Sequence, residues 1–570
     1  MTHYSFLWGR HTLLCLLLLC LYITPAHTQT LPWNRTLKAL EYVKVNGNQM
    51  LCDTTESWAL ATIGPMQKMK GAQVEFTFDG FMLSTFFSIN GNSLKRGTPI
   101  RIQIDPDKEY HLQIIETTSN MGMSSRSIPL HFTTLPLVSL NAQTVSRNYG
   151  SAAFRLMSKE QTVSVPTAKV KWRGATSLRL PKKSFGLKLT DGTEKMDLPL
   201  LGMRSDNSWI LDAAAFDRSR MRNIVSFELW EDFSARPYQS EMEPMAKTSI
   251  RGRYVELFLN NRYEGLYCLS EKIDRKQLKL KKFKNETLRG LLFKATGNID
   301  FGNAKETFDN EKAVCNGWTF SYPDLEEGEA IDWEPLAEFY SYMSSGETEN
   351  LTEQIDEPVW SDLFLLIDLM MGLDNRDKNL FAYFYDITSD KGRKLGAAPW
   401  DMNGSWGSDW RGRVLDPCTK FFNHNKLHIA LQSLYNNSYY YAQRYAEMRN
   451  SYFCADSLKE RFHRYFDLFA ESGAAQRETE RWSEGGGDDV LQMPQLDFDD
   501  ERSYIDEWID KRLEFLDRLF NINTDITQHY KDDPSTSNET RIYDLSGRIH
   551  STMPSKGIYI VNGKKVRFRR

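Results

Sequence analysis

Between Trp360 and Gly407 two acidic segments are separated by two short apolar runs, and this order leaves the chain few ways to fold. Leu363, Leu366, Ile367, Met370 and Met371 predict a buried helix ending at Gly372, an ordinary stop signal. The segment LDNRDKN follows at once. Leu380 to Tyr385 and Lys394 to Ala397 then predict two strands around the polar turn Thr388 to Arg393, and the second strand runs into Pro399, Trp400, Asp401, Met402, Asn403 and Gly404. A hairpin of this kind returns both acidic segments to the same end. Carboxylates distant in sequence then converge, which suits a hard cation.

Magnesium takes one or two carboxylates plus phosphate oxygens, and phosphoryl transfer also uses a carboxylate near the attacking nucleophile. Asp374 precedes Asn379 by the interval that separates Asp and Asn in the protein-kinase loop H-R-D-x-x-x-x-N, and Asp401 has the place of the aspartate in D-F-G. Aspartates after helices and in turns also cap or bend the chain, so spacing alone leaves that reading open. Asp377 is a second carboxylate in the loop and takes the catalytic place if the register slips.

At 570 residues the chain exceeds what one hydrophobic core organises, so two or more domains are expected. Its 41% hydrophobic and 26% charged residues are those of a globular fold, and a net charge of -4 gives no global field for nucleic acid. The run Lys279, Lys281, Lys282 and Lys284 reads as a solvated strand edge. Residues 1–28 read as a secretory signal peptide, with Arg10 and His11, an apolar stretch from Leu13 to Thr24 and a small-residue exit from Pro25 to Thr28. No later segment approaches the roughly 20 apolar residues a transmembrane helix needs. Export to the periplasm, the cell surface or the medium is therefore expected, with no membrane span after signal removal. Leu17, Leu18 and Leu19 before Cys20 disfavour a lipidation site. Cys52, Cys268, Cys315, Cys418 and Cys454 remain, an odd, widely spaced set that reads as buried free thiols.

Residues 29–140 alternate apolar and polar positions in short runs, such as Gln73 to Phe78 and Ile100 to Ile104, and predict a small β-sandwich serving as spacer or adhesion module. From 145 to 522 the pattern is α+β. Amphipathic helices are predicted at Ser219 to Phe233 and Tyr504 to Phe520, and a hairpin at Tyr254 to Leu259 and Leu266 to Leu269 turns on Asn260 and Asn261. The Gly- and acid-rich stretch from Ser483 to Asp500 reads as a mobile loop. Residues 532–570 begin with a polar linker and predict short strands. Their wording, IYDLSGRI then GIYIVNGKKV, resembles the C-terminal sorting-type modules of exported Gram-negative proteins.

Upstream of the acidic segments stand VKWRGATSLRLPKKSFGLKL from Val170, then SWILDAAAFDRSRMRN, then YVELFLNNRYEGLYCLSEKID. With PWDMNG these blocks resemble, in order, the habitual wording of the CotH (spore-coat protein H) atypical kinase family, and several co-linear blocks are more specific than one motif. The resemblance implies a two-lobed protein-kinase-like domain that binds ATP with Mg2+, Mn2+ being an alternative, and phosphorylates a protein substrate. By position it implies Asp374 as catalytic carboxylate, Asn379 and Asp401 as metal ligands, and Lys188 or Lys183 as the phosphate partner. Lys188 is preferred because it lies within the strand, whereas Lys183 follows the Pro181 bend. Arg173 is a further phosphate donor. Glu228 has the place of the glutamate that pairs the strand lysine or else faces solvent, and Glu256 and Glu271 read as structural.

Two departures from the family wording stand out. Asn403 replaces a second aspartate, and no G-x-G-x-x-G loop is present, although Arg173 to Ser177 can cover phosphates with backbone N–H groups. The alternative reading is a non-catalytic surface adhesion or structural protein on the same scaffold.

Overall fold

The computed structural model describes residues 29–64, 69–80, 84–117, 122–324, 331–420, 425–434 and 439–522, with four strands between 542 and 568. The expected signal peptide and the linker after residue 532 lie outside the described residues. The chain divides into two compact units. The first comprises Met1–Ile224, Arg251–Lys272 and Arg464–Phe498, and the second Val225–Ile250, Ile273–His463 and Asp499–Arg570.

In the first unit the N-terminal region is β-rich. One sheet runs in the order Leu51–Asp53, Trp58–Thr62, Met123–Thr133, His111–Thr117, Thr85–Ile89 and Asn92–Leu94, and a second in the order Asn48–Gln49, Val43–Val45, Gln73–Phe78 and Ile100–Gln103. Alternation explains the pairing of faces: Val74, Phe76 and Phe78 turn inward while the residues between them are more exposed. Val74 and Phe76 share one core with Leu112, Ile114 and Ile128.

A seven-stranded closed barrel follows. Its strands are β1 (Leu137–Asn141), β2 (Gly150–Met157), β3 (Thr162–Arg173), β4 (Ser184–Lys188), β5 (Ser208–Asp212), β6 (Gly252–Leu259) and β7 (Arg262–Ser270). They run in the order β1-β2-β3-β4-β5-β7-β6, and β1 pairs parallel to β6 to close the ring. Phe154, Val165, Val170, Phe185, Leu187, Leu257 and Tyr267 fill its interior. The β6–β7 hairpin turns on Asn260 and Asn261, both left-handed at φ 53° and 59°, as a two-residue turn between twisted strands requires.

The barrel is locked by side chains from far along the chain. Glu478, on the helix Ala474–Arg481, accepts from Lys182 Nζ at 2.5 Å, from Arg220 Nε at 2.8 Å and from the Leu266 backbone N–H at 2.8 Å, all fully buried. Lys182 Nζ also donates to the Leu266 carbonyl at 2.6 Å. Burial pulls the Lys182 ammonium down to about 7 against the attraction of Glu478, while Lys182 and Arg220 outweigh the burial of Glu478 and hold its carboxyl below the usual range. One residue earlier, Arg477 pairs with buried Glu256 at 2.7 Å. Gly265 is required here, because a Cβ would meet Glu478 Oε2 at 2.1 Å.

The stretch after this helix corrects the expectation of a mobile loop. It is irregular but anchored: Leu491 and Met493 enter the barrel core, Met493 N–H donates to the Gly486 carbonyl at 2.8 Å, and Asp488 pairs with Arg179. Composition pointed to a solvated segment because its glycines and acids outnumber the two apolar anchors.

The second unit holds a five-stranded sheet. Numbered onward, β8 (Leu291–Ala295), β9 (Val314–Cys315), β10 (Trp318–Tyr322), β11 (Leu380–Phe384) and β12 (Leu395–Pro399) lie in the order β9-β10-β8-β11-β12. The predicted helix before the acidic loop is Glu357–Met370, nearly all of it buried. It is pinned to β12 by Asp356 N–H and Trp360 Nε1, each donating to the Leu395 carbonyl at 3.0 and 2.9 Å. Its far end is capped by buried Arg512 of the helix Phe498–Leu519, whose Nη2 donates to the Asp368 carbonyl at 2.6 Å. The lysine run at 279–284 does not form a strand edge. Lys279 ends a one-turn helix in the left-handed region, and Lys281 pairs with Glu243 at 2.9 Å.

Cys52, Cys268 and Cys315 are buried free thiols as expected, whereas Cys418 is exposed and Cys454 is half-buried. Among the described residues no helix is long and apolar enough to cross a membrane. In the C-terminal module, strands Ile549–His550, Ile542–Asp544, Gly557–Val561 and Lys564–Phe568 form an antiparallel sheet in that order.

Two outcomes follow from the buried charges. Lys182→Met strips one partner from a buried network and is expected to cost about 3–5 kcal/mol in urea denaturation. Lys183→Met, whose ammonium donates to the Leu178 and Leu180 carbonyls, should cost about 1 kcal/mol. Asp356 accepts the Tyr238 N–H at 2.9 Å, and burial pushes its carboxyl from 3.8 up to about 7. Over that window the native state holds a proton that the unfolded chain has released, so this group's contribution is full below about pH 4 and is lost as pH rises toward 7. Asp356→Asn should flatten the stability–pH curve there.

Candidate active site

The acidic loop begins where the helix Glu357–Met370 stops, at left-handed Met371 followed by Gly372. A short turn, Leu373–Asn375, carries Asp374. Asn379 closes the loop with its N–H donating to the Ala295 carbonyl at the end of β8, at 3.0 Å. The register of β11 and β12 pairs Leu380 with Pro399, so the next residue on each strand, Asn379 and Trp400, face one another, and Trp400 N–H donates to the Asn379 carbonyl at 3.1 Å. Asp401 is one residue further on.

The buried side chain of Asn375 joins the two segments. Its Nδ2 donates to the Asn379 carbonyl at 3.0 Å and to the Trp400 carbonyl at 2.8 Å. Around this clasp Asp374 Oδ2 accepts from Asn379 Nδ2 at 3.2 Å, Asp374 Oδ1 pairs with Lys378 Nζ at 2.8 Å, and Asp401 Oδ1 accepts from Asn403 Nδ2 at 3.2 Å. Asn379 and Asp401 both have left-handed backbones, φ 55° and 51°. Asn and Asp enter that region more readily than other side chains, and residues held there gather at functional sites.

The donors present fit a hard cation. Asp401 is exposed, and two amide oxygens, Asn375 Oδ1 and Asn403 Oδ1, are buried with no hydrogen-bond partner among the described residues. Such oxygens need a partner, and a set of carboxylate and amide oxygens is what magnesium accepts while phosphate and water complete its shell. Among the described residues no group of three or more His, Cys, Asp or Glu is disposed to hold a metal.

The structure thus joins the segments that carry Asp374, Asn379 and Asp401 within the second unit. Asp377 lies in the same loop with its carbonyl bound by the Ile299 N–H at 2.7 Å, while Lys378 and Asn379 both turn to Asp374 instead. The cationic candidates belong to the first unit. Lys188 is at the end of β4, its Nζ 4.5 Å from the centroid of the Tyr149 ring. Lys183 Nζ donates to the Leu178 and Leu180 carbonyls, which ties it to the Pro181 bend. Arg173 ends β3, half-buried, before Gly174 at φ 119°. Glu228 is half-buried on the helix Arg222–Phe233. Glu256 and Glu271 are structural: the first binds Arg477 and the second accepts from the backbone N–H groups of Arg204 and Arg251 at 2.9 and 3.0 Å.

Sequence reasoning missed Asn375, Lys378 and Lys294. Lys378 was discoverable, since it lies four residues after Asp374 within the motif interval. Asn375 reads in sequence as one more turn former, and only the fold sets its amide between two carbonyls. Lys294 comes from β8 and holds its Nζ 5.6 Å from the Trp400 ring centroid. Asn375→Ala, which strips the Trp400 carbonyl of its Asn375 donor and leaves the Asn379 carbonyl with only the Trp400 N–H, is expected to cost about 1–3 kcal/mol in denaturation. It should also speed hydrogen exchange at the Trp400 amide.

These residues all fall within a stretch that matches a known family. The family described as CotH kinase protein matches over residues 170–516, more than half of the chain. Among curated proteins none matches the chain. The acidic loop, the hairpin and the Asp401 turn lie inside the matched residues, and the chain belongs to the CotH kinase family.

Proposed function

We propose that this protein is an exported atypical kinase that transfers phosphate from ATP to protein substrates at the cell envelope or outside the cell, by means of a two-lobed kinase-like domain over residues 145–522. The observation that supports this reading is the Asn375 clasp, which ties the loop carrying Asp374 and Asn379 to the backbone just before Asp401, with the amide oxygens of Asn375 and Asn403 buried and without a hydrogen-bond partner among the described residues. Mg2+, when bound with ATP, neutralises charge developing on the transferred phosphoryl group.

The chain's own residues then divide the work. Asn379 and Asp401 hold the cation, with Asn403 supplying an amide where a second carboxylate would add charge. Asp374 accepts the proton of the substrate hydroxyl at a carboxylate oxygen, and Lys378 at 2.8 Å orients that carboxylate. Lys188, with Lys183 as its alternative and Arg173 as a further donor, meets the nucleotide phosphates. Export rests on the N-terminal 28 residues and on the sorting-type wording of the C-terminal module.

Purified protein without its first 28 residues, given labelled ATP and Mg2+ or Mn2+, should label itself or a general protein acceptor, and Asp401→Ala should return transfer to background. At a hundredfold excess over Kd, Mg-ATP should add about 2.7 kcal/mol of stability in a thermal-shift titration. Absence of both transfer and shift would leave the adhesive scaffold as the better reading.

A further inference from the structure

The outer face of β3 and β4 concentrates positive charge in a way the chain as a whole does not, since its net charge is -4. Strand alternation turns Val170, Phe185 and Leu187 into the barrel core, so Lys169, Lys171, Gly186 and Lys188 share the opposite face. In the antiparallel register Lys169 stands directly opposite Lys188, Lys171 opposite Gly186 and Arg173 opposite Ser184. Like charges directly across a ladder repel, and strands of purely structural purpose avoid them. Neither strand contains an Asp or Glu. The neighbouring strand β5 ends in Asp212, whose Oδ1 is taken up by Ser184 Oγ and the Ala214 N–H, each at 3.1 Å. Among the described residues neither Lys169 nor Lys171 enters an ion pair.

Tyr149 organises this face. Its hydroxyl lies over Gly186, where an added Cβ would come within 3.2 Å of it, so the glycine leaves the space that lets the ring lie across the strand. Lys171 Nζ and Lys188 Nζ approach the ring centroid at 4.4 and 4.5 Å. The ring fixes where each ammonium stands, and Lys171, which enters no ion pair among the described residues, has its charge to offer an anion that reaches Lys188. A chain of phosphates carries several charges at the spacing of adjacent side chains, and lysines bind it as point charges.

We infer that Lys171 and Tyr149 join Lys188 in a polyphosphate-binding wall on the barrel, Lys171 as the second phosphate cation and Tyr149 as the plate that orients both ammonium groups. The inference rests on the kinase reading only for its choice of ATP as the source of the phosphates. Neither Lys171 nor Tyr149 follows from the family wording, and Tyr149 precedes the matched stretch altogether.

The test is calorimetric titration of the full mature chain with inorganic tripolyphosphate and, separately, with Mg-ATP, at two salt concentrations. Lys171→Met should weaken tripolyphosphate binding roughly 10- to 100-fold, while Lys171→Arg stays within about threefold of the parent. Tyr149→Phe should bind like the parent and Tyr149→Leu several-fold more weakly, with circular dichroism and Tm confirming that each variant is folded. Parent-like tripolyphosphate binding by Lys171→Met overturns the inference and leaves the kinase reading standing if Mg-ATP still binds. Tripolyphosphate binding that Lys171→Met abolishes, without any Mg-ATP binding by the parent, upholds the wall and overturns the nucleotide reading. No binding of either probe by the parent overturns both.

Discussion

One buried amide holds the acidic site together. Asn375 gives its two N–H bonds to carbonyls on either side of the β11–β12 pairing, so the helix end, the acidic loop and the Asp401 turn share a single point of attachment. The bonds at Asn379 and Trp400 then fix two residues in the left-handed region, and the backbone at those positions aims the side chains that carry the chemistry. The arrangement is rigid at its base and open at its rim. Asn375 is buried, as is the helix behind it, whereas Asp401 meets solvent. The proposed binding of a cation and phosphate would draw on that combination, because preorganised donors lose little entropy on binding while an exposed carboxylate can exchange water for ligand.

The two units hold their charges differently. In the barrel, Glu478 and Glu256 are sealed against cations, so nothing about them is available to a ligand and their contribution is to the fold. Removing one member of such a set is far more damaging than replacing the whole set by apolar groups of similar shape. Around Asp374 the charges are half-exposed and only partly matched. Buried polar groups with complete partners specify a core, and incompletely matched ones mark where a ligand completes the set.

Much of this was readable in the sequence because the relevant signals are local. The apolar helix, the two strands and the Asn-Asn hairpin obey their periods and turn chemistry, and Asp374 and Asn379 do meet, the amide donating to the carboxylate at 3.2 Å. The co-linear blocks identified the family. What escaped was decided by distant partners. Of the adjacent Lys182 and Lys183, strand position gave no reason to single out Lys182, yet it is the one buried, because its partner Glu478 lies 296 residues away. The Ser483–Asp500 stretch looked solvated by composition, and two apolar residues were enough to anchor it in the barrel core. The closure of the barrel through parallel pairing of β1 and β6 has no local signature at all.

The return of the helix Ala474–Arg481 to the barrel also sets an order of events during synthesis. Leu266 waits for a hydrogen-bond acceptor 212 residues later in the chain. At roughly 5–20 residues per second the ribosome needs on the order of 10–40 s to supply it. Until then Lys182 and Arg220 have no counter-charge and the barrel's β7 edge lacks its lock, so the N-terminal half remains incompletely consolidated while the rest is made. A chain that postpones its own closure in this way stays threadable for longer.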